Sequence, residues 1–159
     1  MDAFELLMND HQKVSEIFDR MESGDAALRR ELFPRLKQEL DVHAHVEETI
    51  FYPALKERAE TRDIATHAYS EHNEVKQMLD ELQAGLTGAD DAAWGARLTK
   101  LRQSVEHHVK EEEGEMFTRA RAALDDDQIA QLGRRMTEAK QQQQAVLGAT
   151  KSMGANAGD

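Results

Sequence analysis

The sequence predicts an all-α protein, an up-down-up-down four-helix bundle closed by a short fifth helix at the C-terminus. Only two prolines interrupt 159 residues. Ala, Leu, Glu, Gln, Lys and Arg outnumber β-branched residues, and apolar residues recur at three- and four-residue steps in segment after segment. In the first segment Phe4, Leu7, Val14, Phe18 and Met21 form one stripe, closed by Ser23-Gly24-Asp25. The second runs from about Ala26 through Leu36, Leu40 and Ile50. Pro34 is expected to kink or restart it, because proline lacks an amide hydrogen and clashes one turn back. Pro53 opens a short terminal helical piece, and Glu60-Thr61-Arg62-Asp63 reads as the next turn. Ala65, Ala68, Val75, Leu79, Leu82 and Leu86 mark the third helix, which stops within 85–91. The fourth starts near Ala92 and carries Leu98, Leu101, Val105, Val109 and Met116, with Gly114 inside it at a cost of about 1 kcal/mol relative to alanine. The fifth opens at Asp125, whose Asp-x-x-Gln pattern with Gln128 is a capping signature, and continues through Ile129, Leu132, Met136 and Ala139. Residues 1–147 read as one domain and the small, polar stretch 148–159 as a disordered tail.

Composition narrows the function. A chain of this length forms one domain that buries roughly 68–70% of its unfolded surface, so it needs no covalent staples. The absence of cysteine excludes disulfides, thiolate zinc sites, iron–sulfur clusters and cysteine nucleophiles. Lys and Arg number 20 against 31 Asp and Glu, a net charge of −11, which argues against a nucleic-acid partner because phosphate binding needs a basic face. No apolar run approaches the roughly 18–20 residues of a membrane span. Asp2, Glu5 and Asp10 interrupt any signal-peptide core, so the expected location is the cytoplasm.

The informative residues are polar ones lying on apolar stripes. His11 lies on the stripe of helix 1, His43 and Glu47 on that of helix 2, His72 on that of helix 3, and His108 and Glu112 on that of helix 4. Residues four apart are separated by about 40° around the axis, so each His/Glu pair reaches one point. The pattern repeats: Asp10-His11-x-x-Val14 matches Glu71-His72-x-x-Val75, and His43-x-x-x-Glu47 matches His108-x-x-x-Glu112. Two hairpins each bringing His plus His-x-x-x-Glu imply a pseudo-twofold site on the bundle axis.

A lone histidine on an apolar face is ordinarily a satisfied core residue. Four imidazoles and two carboxylates buried together are another matter, since each unpaired ion costs several kcal/mol and no Lys or Arg falls on these stripes. A metal is the natural countercharge. Six ligands exceed the four of a single zinc, calcium and magnesium prefer oxygen, and mixed imidazole and carboxylate suits a pair of first-row transition ions, above all iron. His107/Glu111 is also spaced by four, but lies about 100° off the stripe. His45 is off the stripe as well and reads as a surface residue.

From about Phe4 to Leu124 the sequence resembles the hemerythrin-like (HHE cation-binding) family. The segments DHQKV, HAHVEETIFYPAL, SEHNEVKQML and HHVKEEEGEMF match its pattern in order and spacing. The resemblance implies that His11, His43, Glu47, His72, His108 and Glu112 ligate two irons, with Glu47 and Glu112 bridging and an oxo or hydroxo group completing the bridge. The family's oxygen carriers have a further histidine one turn before the third-helix ligand, where this chain has Ala68. Tyr69 lies within about 60° of the stripe and is a candidate weaker ligand or hydrogen-bond donor. His67, about 140° away, is expected to face out or pack a loop. One ligand fewer than the carriers shifts the expected function toward chemistry on bound oxygen or peroxide: a catalase-like activity in defence against oxidants, with a small-molecule ligand (O2, peroxide or NO). The alternatives are a non-enzymatic carrier or sensor of O2 or NO, or an iron store. Iron-centre repair ranks lowest, since its longer relatives carry an extra cysteine-bearing domain.

Overall fold

The structure is a computed structural model that describes the backbone of residues 1–157 and the side chains of residues 1–148. Three of the four bundle helices start on an acidic cap. α1 (Ala3–Ser23) opens on a capping box, in which the Asp2 carboxylate accepts from the Glu5 amide at 2.9 Å and the Glu5 carboxylate accepts from the Asp2 amide at 3.2 Å. α2 (Ala26–Val46) is capped by Asp25, which accepts from the Leu28 amide at 2.9 Å. Pro34 does not restart α2, which is continuous across it, with the fully buried Phe33 and Leu36 anchoring both sides of the proline.

The end of α2 widens into a π turn over Glu47–Phe51, closed by the Tyr52 amide donating to the Glu47 carbonyl. α3 (Tyr52–Lys56) follows, with Pro53 in its first turn as expected. Pro53 has no N–H to give the Glu48 carbonyl five residues back, and the Tyr69 hydroxyl supplies that bond at 2.9 Å. α4 (Arg62–Ala84) and α5 (Asp91–Glu111) form the second hairpin. Its turn is held by the Trp94 indole donating to the Leu82 carbonyl at 2.9 Å. α5 also ends in a π turn, Glu112–Met116, closed by the Phe117 amide on the Glu112 carbonyl. α6 (Phe117–Ala123) and α7 (Asp126–Ala157) complete the chain, with Asp125 and Gln128 capping each other's amides at 2.8 and 2.9 Å.

The expected fifth helix is thus present as α7, packed on α1 and α2. The sequence assigns 148–159 to an unstructured tail. The backbone is instead helical to Ala157, consistent with the alanines there and with propagation adding one bond per residue; positions 158–159 lie outside the described residues. The described residues contain no strand. The core divides in two. One cluster, from Phe4 and Leu7 to Phe51, Leu55, Phe117 and Met136, fills the end near the π turns. The other, from Val14 and Phe18 to Phe33, Leu79, Trp94 and Leu101, fills the opposite end. On every bundle helix the sequence positions between these clusters carry the buried polar residues: Asp10, His11, His43, Glu47, His72, His108 and Glu112.

Candidate metal centre

All six residues predicted from the stripes converge. His11, His43 and Glu112 form one group whose ligand atoms lie within 4.8 Å of one another, and Glu47, His72 and His108 form a second. Each group takes its two histidines from one hairpin and its carboxylate from the other. The imidazole centroids are 4.9 Å apart in both groups, His11 with His43 and His72 with His108, which shows the pseudo-twofold directly. Both carboxylates reach both groups. Glu112 Oε1 is 3.1 Å from His11 Nε2 and its Oε2 is 3.2 Å from His108 Nε2, while Glu47 Oε1 lies 2.8 Å from His43 Nε2 and 3.2 Å from His72 Nε2.

These close approaches are poor hydrogen bonds. His11 Nε2, Glu112 Oε1 and both Glu47 oxygens are buried and make none, although each carboxylate sits a contact distance from an imidazole nitrogen. Buried polar atoms are ordinarily satisfied. Buried carboxylate oxygens and imidazole nitrogens gathered at a contact distance in poor hydrogen-bond geometry fit a cation between them, and the donor set of four imidazoles and two carboxylates fits transition-metal ions.

The outward nitrogens are all occupied by carboxylates. Asp10 lies 3.0 Å from His43 Nδ1, Glu71 2.9 Å from His108 Nδ1, Glu48 3.3 Å from His72 Nδ1 and Glu113 3.3 Å from His11 Nδ1. Asp10 and Glu71, each just before the histidine of α1 or α4, serve the histidine of the neighbouring helix in the same hairpin. Glu48 and Glu113, each just after a central carboxylate, serve the other hairpin. Such acceptors hold Nδ1 as the N–H and turn the Nε2 lone pair inward. The Asp10 and Glu71 repeat is visible in the sequence, but its use is not, because a helical wheel places these residues one step off the stripe.

The charge balance follows. Burial alone would push the His43 imidazole down, but Glu47 and Asp10 hold it well above the usual histidine range. The same opposition, with Glu112 and Glu71 as partners, pushes His108 up to about 10. Burial would raise Glu112, yet its contacts with Glu47, His108 and His11 keep it well below the usual carboxylate range.

One further residue enters that the stripes do not contain. The Tyr52 hydroxyl donates to Glu112 Oε2 at 2.6 Å and lies 3.2 and 3.1 Å from the Nε2 atoms of His72 and His108. Burial, reinforced by the Glu112 and Glu47 charges, pushes it well above the usual tyrosine range, so it is a neutral donor. The pseudo-symmetric position is Phe117, so the two halves differ here. Tyr69 does not reach the centre. Its hydroxyl is spent on the Glu48 carbonyl, and its ring packs edge-on against Tyr52, centroids 5.4 Å apart. His67 is exposed and touches Glu71, Nε2 to Oε2 3.8 Å. His45 lies on an exposed position and His107 is exposed as well. A cavity of about 40 Å³ opens on the four histidines, walled by Val14, Leu40, Val75, Leu79, Val105 and Val109.

A helical bundle with a pseudo-twofold cluster of buried imidazoles and carboxylates at mid-height defines a metal-binding class. The chain belongs to the hemerythrin family: the model of the hemerythrin HHE cation-binding domain matches residues 2–120. It is similar to a protein from a Nostoc species described as a DNA nickase, 28% identical over 152 residues, 93% of this chain and 42% of the relative. The chain therefore spans less than half the length of the curated relative it matches. No solved structure matches. No helix among the described residues is long and apolar enough to cross a membrane.

Proposed function

We propose that the chain holds two iron ions joined by an oxo or hydroxo group and acts on dioxygen or peroxide, with decomposition of hydrogen peroxide in the cytoplasm as its reaction. The observation that carries this is the donor count: six protein ligands in two groups of three, with Glu47 and Glu112 each in contact with both groups. His11, His43, His72, His108, Glu47 and Glu112 would hold the ions and leave positions open on each. Where the oxygen carriers of this family have a further histidine, Ala68 is buried and offers no ligand atom. When bound, such an iron pair supplies the change of oxidation state by which two hydrogen peroxide molecules become one dioxygen and two waters.

The chain's own residues do the rest. Asp10, Glu48, Glu71 and Glu113 orient the imidazoles. Tyr52 keeps the proton on its hydroxyl and donates a hydrogen bond to Glu112 Oε2, which fixes that carboxylate beside the second group. The aliphatic walls admit a molecule of the size of dioxygen or peroxide, since about 40 Å³ exceeds the ~10–15 Å³ that one water needs.

The test is to purify the protein anaerobically with iron and follow oxygen release from added peroxide. A rate no better than free iron overturns the enzymatic reading. His43→Ala and His108→Ala should each lose bound metal, and two irons retained by both would overturn the ligand assignment. Carriage or sensing of O2 or NO is the second reading, favoured by the same apolar cavity; a stable, reversible oxy spectrum supports it. Nicking of DNA is opposed by the net charge of −11, and supercoiled plasmid should stay intact in the presence of the iron-loaded protein without peroxide.

A further inference from the structure

Asp10 and Glu71 occupy equivalent places in the two hairpins, and each has one oxygen on a central histidine. Their second oxygens differ. Asp10 Oδ1 is paired with Lys140 of α7. No Lys or Arg pairs with Glu71 among the described residues. Its Oε2 instead faces two imidazoles on the surface, His67 Nε2 and His107 Nε2, each at 3.8 Å. His107 Nε2 is also 3.1 Å from Glu111 Oε1, and ligand atoms of His67, Glu71 and Glu111 lie within 4.8 Å of one another. α4 and α5 thus each turn a His-x-x-x-Glu unit toward the other, as α2 and α5 do at the centre.

We propose that His67, Glu71, His107 and Glu111 form a second metal site, at the exposed seam of α4 and α5, that takes one divalent transition ion of the zinc type in a four-coordinate, two-nitrogen, two-oxygen shell. The proposal does not rest on the iron chemistry of the centre. Ligands about 2.0–2.1 Å from a tetrahedral ion stand about 3.3–3.4 Å from each other. Three of the six ligand–ligand spacings, at 3.1–3.8 Å, bracket that value, and since the group within 4.8 Å is His67, Glu71 and Glu111, the exposed His107 completes the shell by side-chain rotation. The histidines are accessible, with side chains 64% and 66% exposed, whereas Glu71 is 15% exposed and already fixed by His108. One carboxylate is therefore preorganised and the others can close on an ion arriving from solvent. The ion would supply at Glu71 the positive charge that Lys140 supplies at Asp10. Glu71 would then be shared, Oε1 on His108 and Oε2 on the outer ion.

The experiment uses the untagged full chain with its core metal content measured beforehand, titrated with Co2+ as a spectroscopic probe and then with Zn2+ as competitor. The expected result is one additional equivalent of Co2+ with the intense visible absorption of a tetrahedral site, displaced by Zn2+. His107→Ala, and His67→Ala with His107→Ala, should weaken that equivalent about tenfold or more while the core metal content stays as in the parent. Because both histidines are exposed, these variants should keep the parent's helical circular dichroism and thermal midpoint. Absence of an additional tetrahedral equivalent in the parent, or an equivalent that the double variant binds as tightly, overturns the site. So does loss of core metal in His107→Ala, which would place that residue at the centre.

Discussion

At the residue scale, each central imidazole uses its two nitrogens differently, and the outer one is open to direct test. Asp10 is the most enclosed of the four outer carboxylates, with its side chain 4% exposed between His43 and Lys140, whereas Glu113 beside His11 is 37% exposed. Burial would raise the Asp10 carboxyl, but His43 and Lys140 more than offset it and keep the group ionised. Asp10→Asn preserves shape and removes that charge, so metal affinity should fall about 10–100-fold. Glu113→Gln should cost less, because water replaces an exposed acceptor. Rates of metal loss to a chelator measure both, and equal losses would show that burial of the outer acceptor does not set its effect.

At the element scale, the two π turns decide which residues meet the centre. A turn closed from i to i+5 is wider than an α turn and returns residue i+5 toward residue i. Tyr52, five after Glu47, joins the site that way, and Phe117 takes the same place after Glu112. The helices, the Asp125 cap and the six converging residues are legible in the sequence because a uniform 100° step holds within each of α1, α2, α4 and α5. The step changes at Glu47 and Glu112, so a wheel drawn with one pitch keeps Tyr69 in view and leaves Tyr52 out. The outer carboxylates escape for a related reason: they point between helices, and their roles depend on which neighbour lies alongside.

The contact of α7 with the start of α1 also escapes sequence reading. A Cβ on Gly133 would meet the Met1 carbonyl oxygen at 2.6 Å and the Asp2 Cα at 2.7 Å, and backbone atoms at a capping box cannot give way as a side-chain tip can. Gly133→Ala should therefore cost about 1–3 kcal/mol by overpacking. The midpoint of thermal unfolding should fall by about 2–4 °C for each kcal/mol at this chain length. Gly114, in the second π turn, has nothing within 4 Å of an added Cβ, so Gly114→Ala should not lower the midpoint. A drop of the same size in both variants would point to the glycine backbone rather than to the α7 contact.

At the scale of the molecule, a belt of ionisable groups lies between two hydrophobic clusters, and the metal-free bundle must neutralise that belt with protons. His108 binds its proton more tightly folded, about 10 against 6.5. Its contribution to stability is therefore fully present below 6.5 and is lost as the pH rises through about 10. His43 and His72 are raised as well and act in the same direction. Glu112 is shifted the other way, so its contribution is present above 4.5 and lost on acidification. The metal-free protein should then be more stable at pH 6 than at pH 9. Metal changes the sign, because the ligating imidazoles must be deprotonated: binding releases protons, and apparent affinity rises with pH. The separation between the unfolding midpoints of metal-loaded and metal-free protein should consequently widen from pH 6 to pH 9. Denaturant unfolding of both forms at the two pH values measures it. A constant separation would mean that protons and metal do not compete for the same imidazole nitrogens, and that the close approach of His43, His72 and His108 to Glu47 and Glu112 is a proton-bridged core instead.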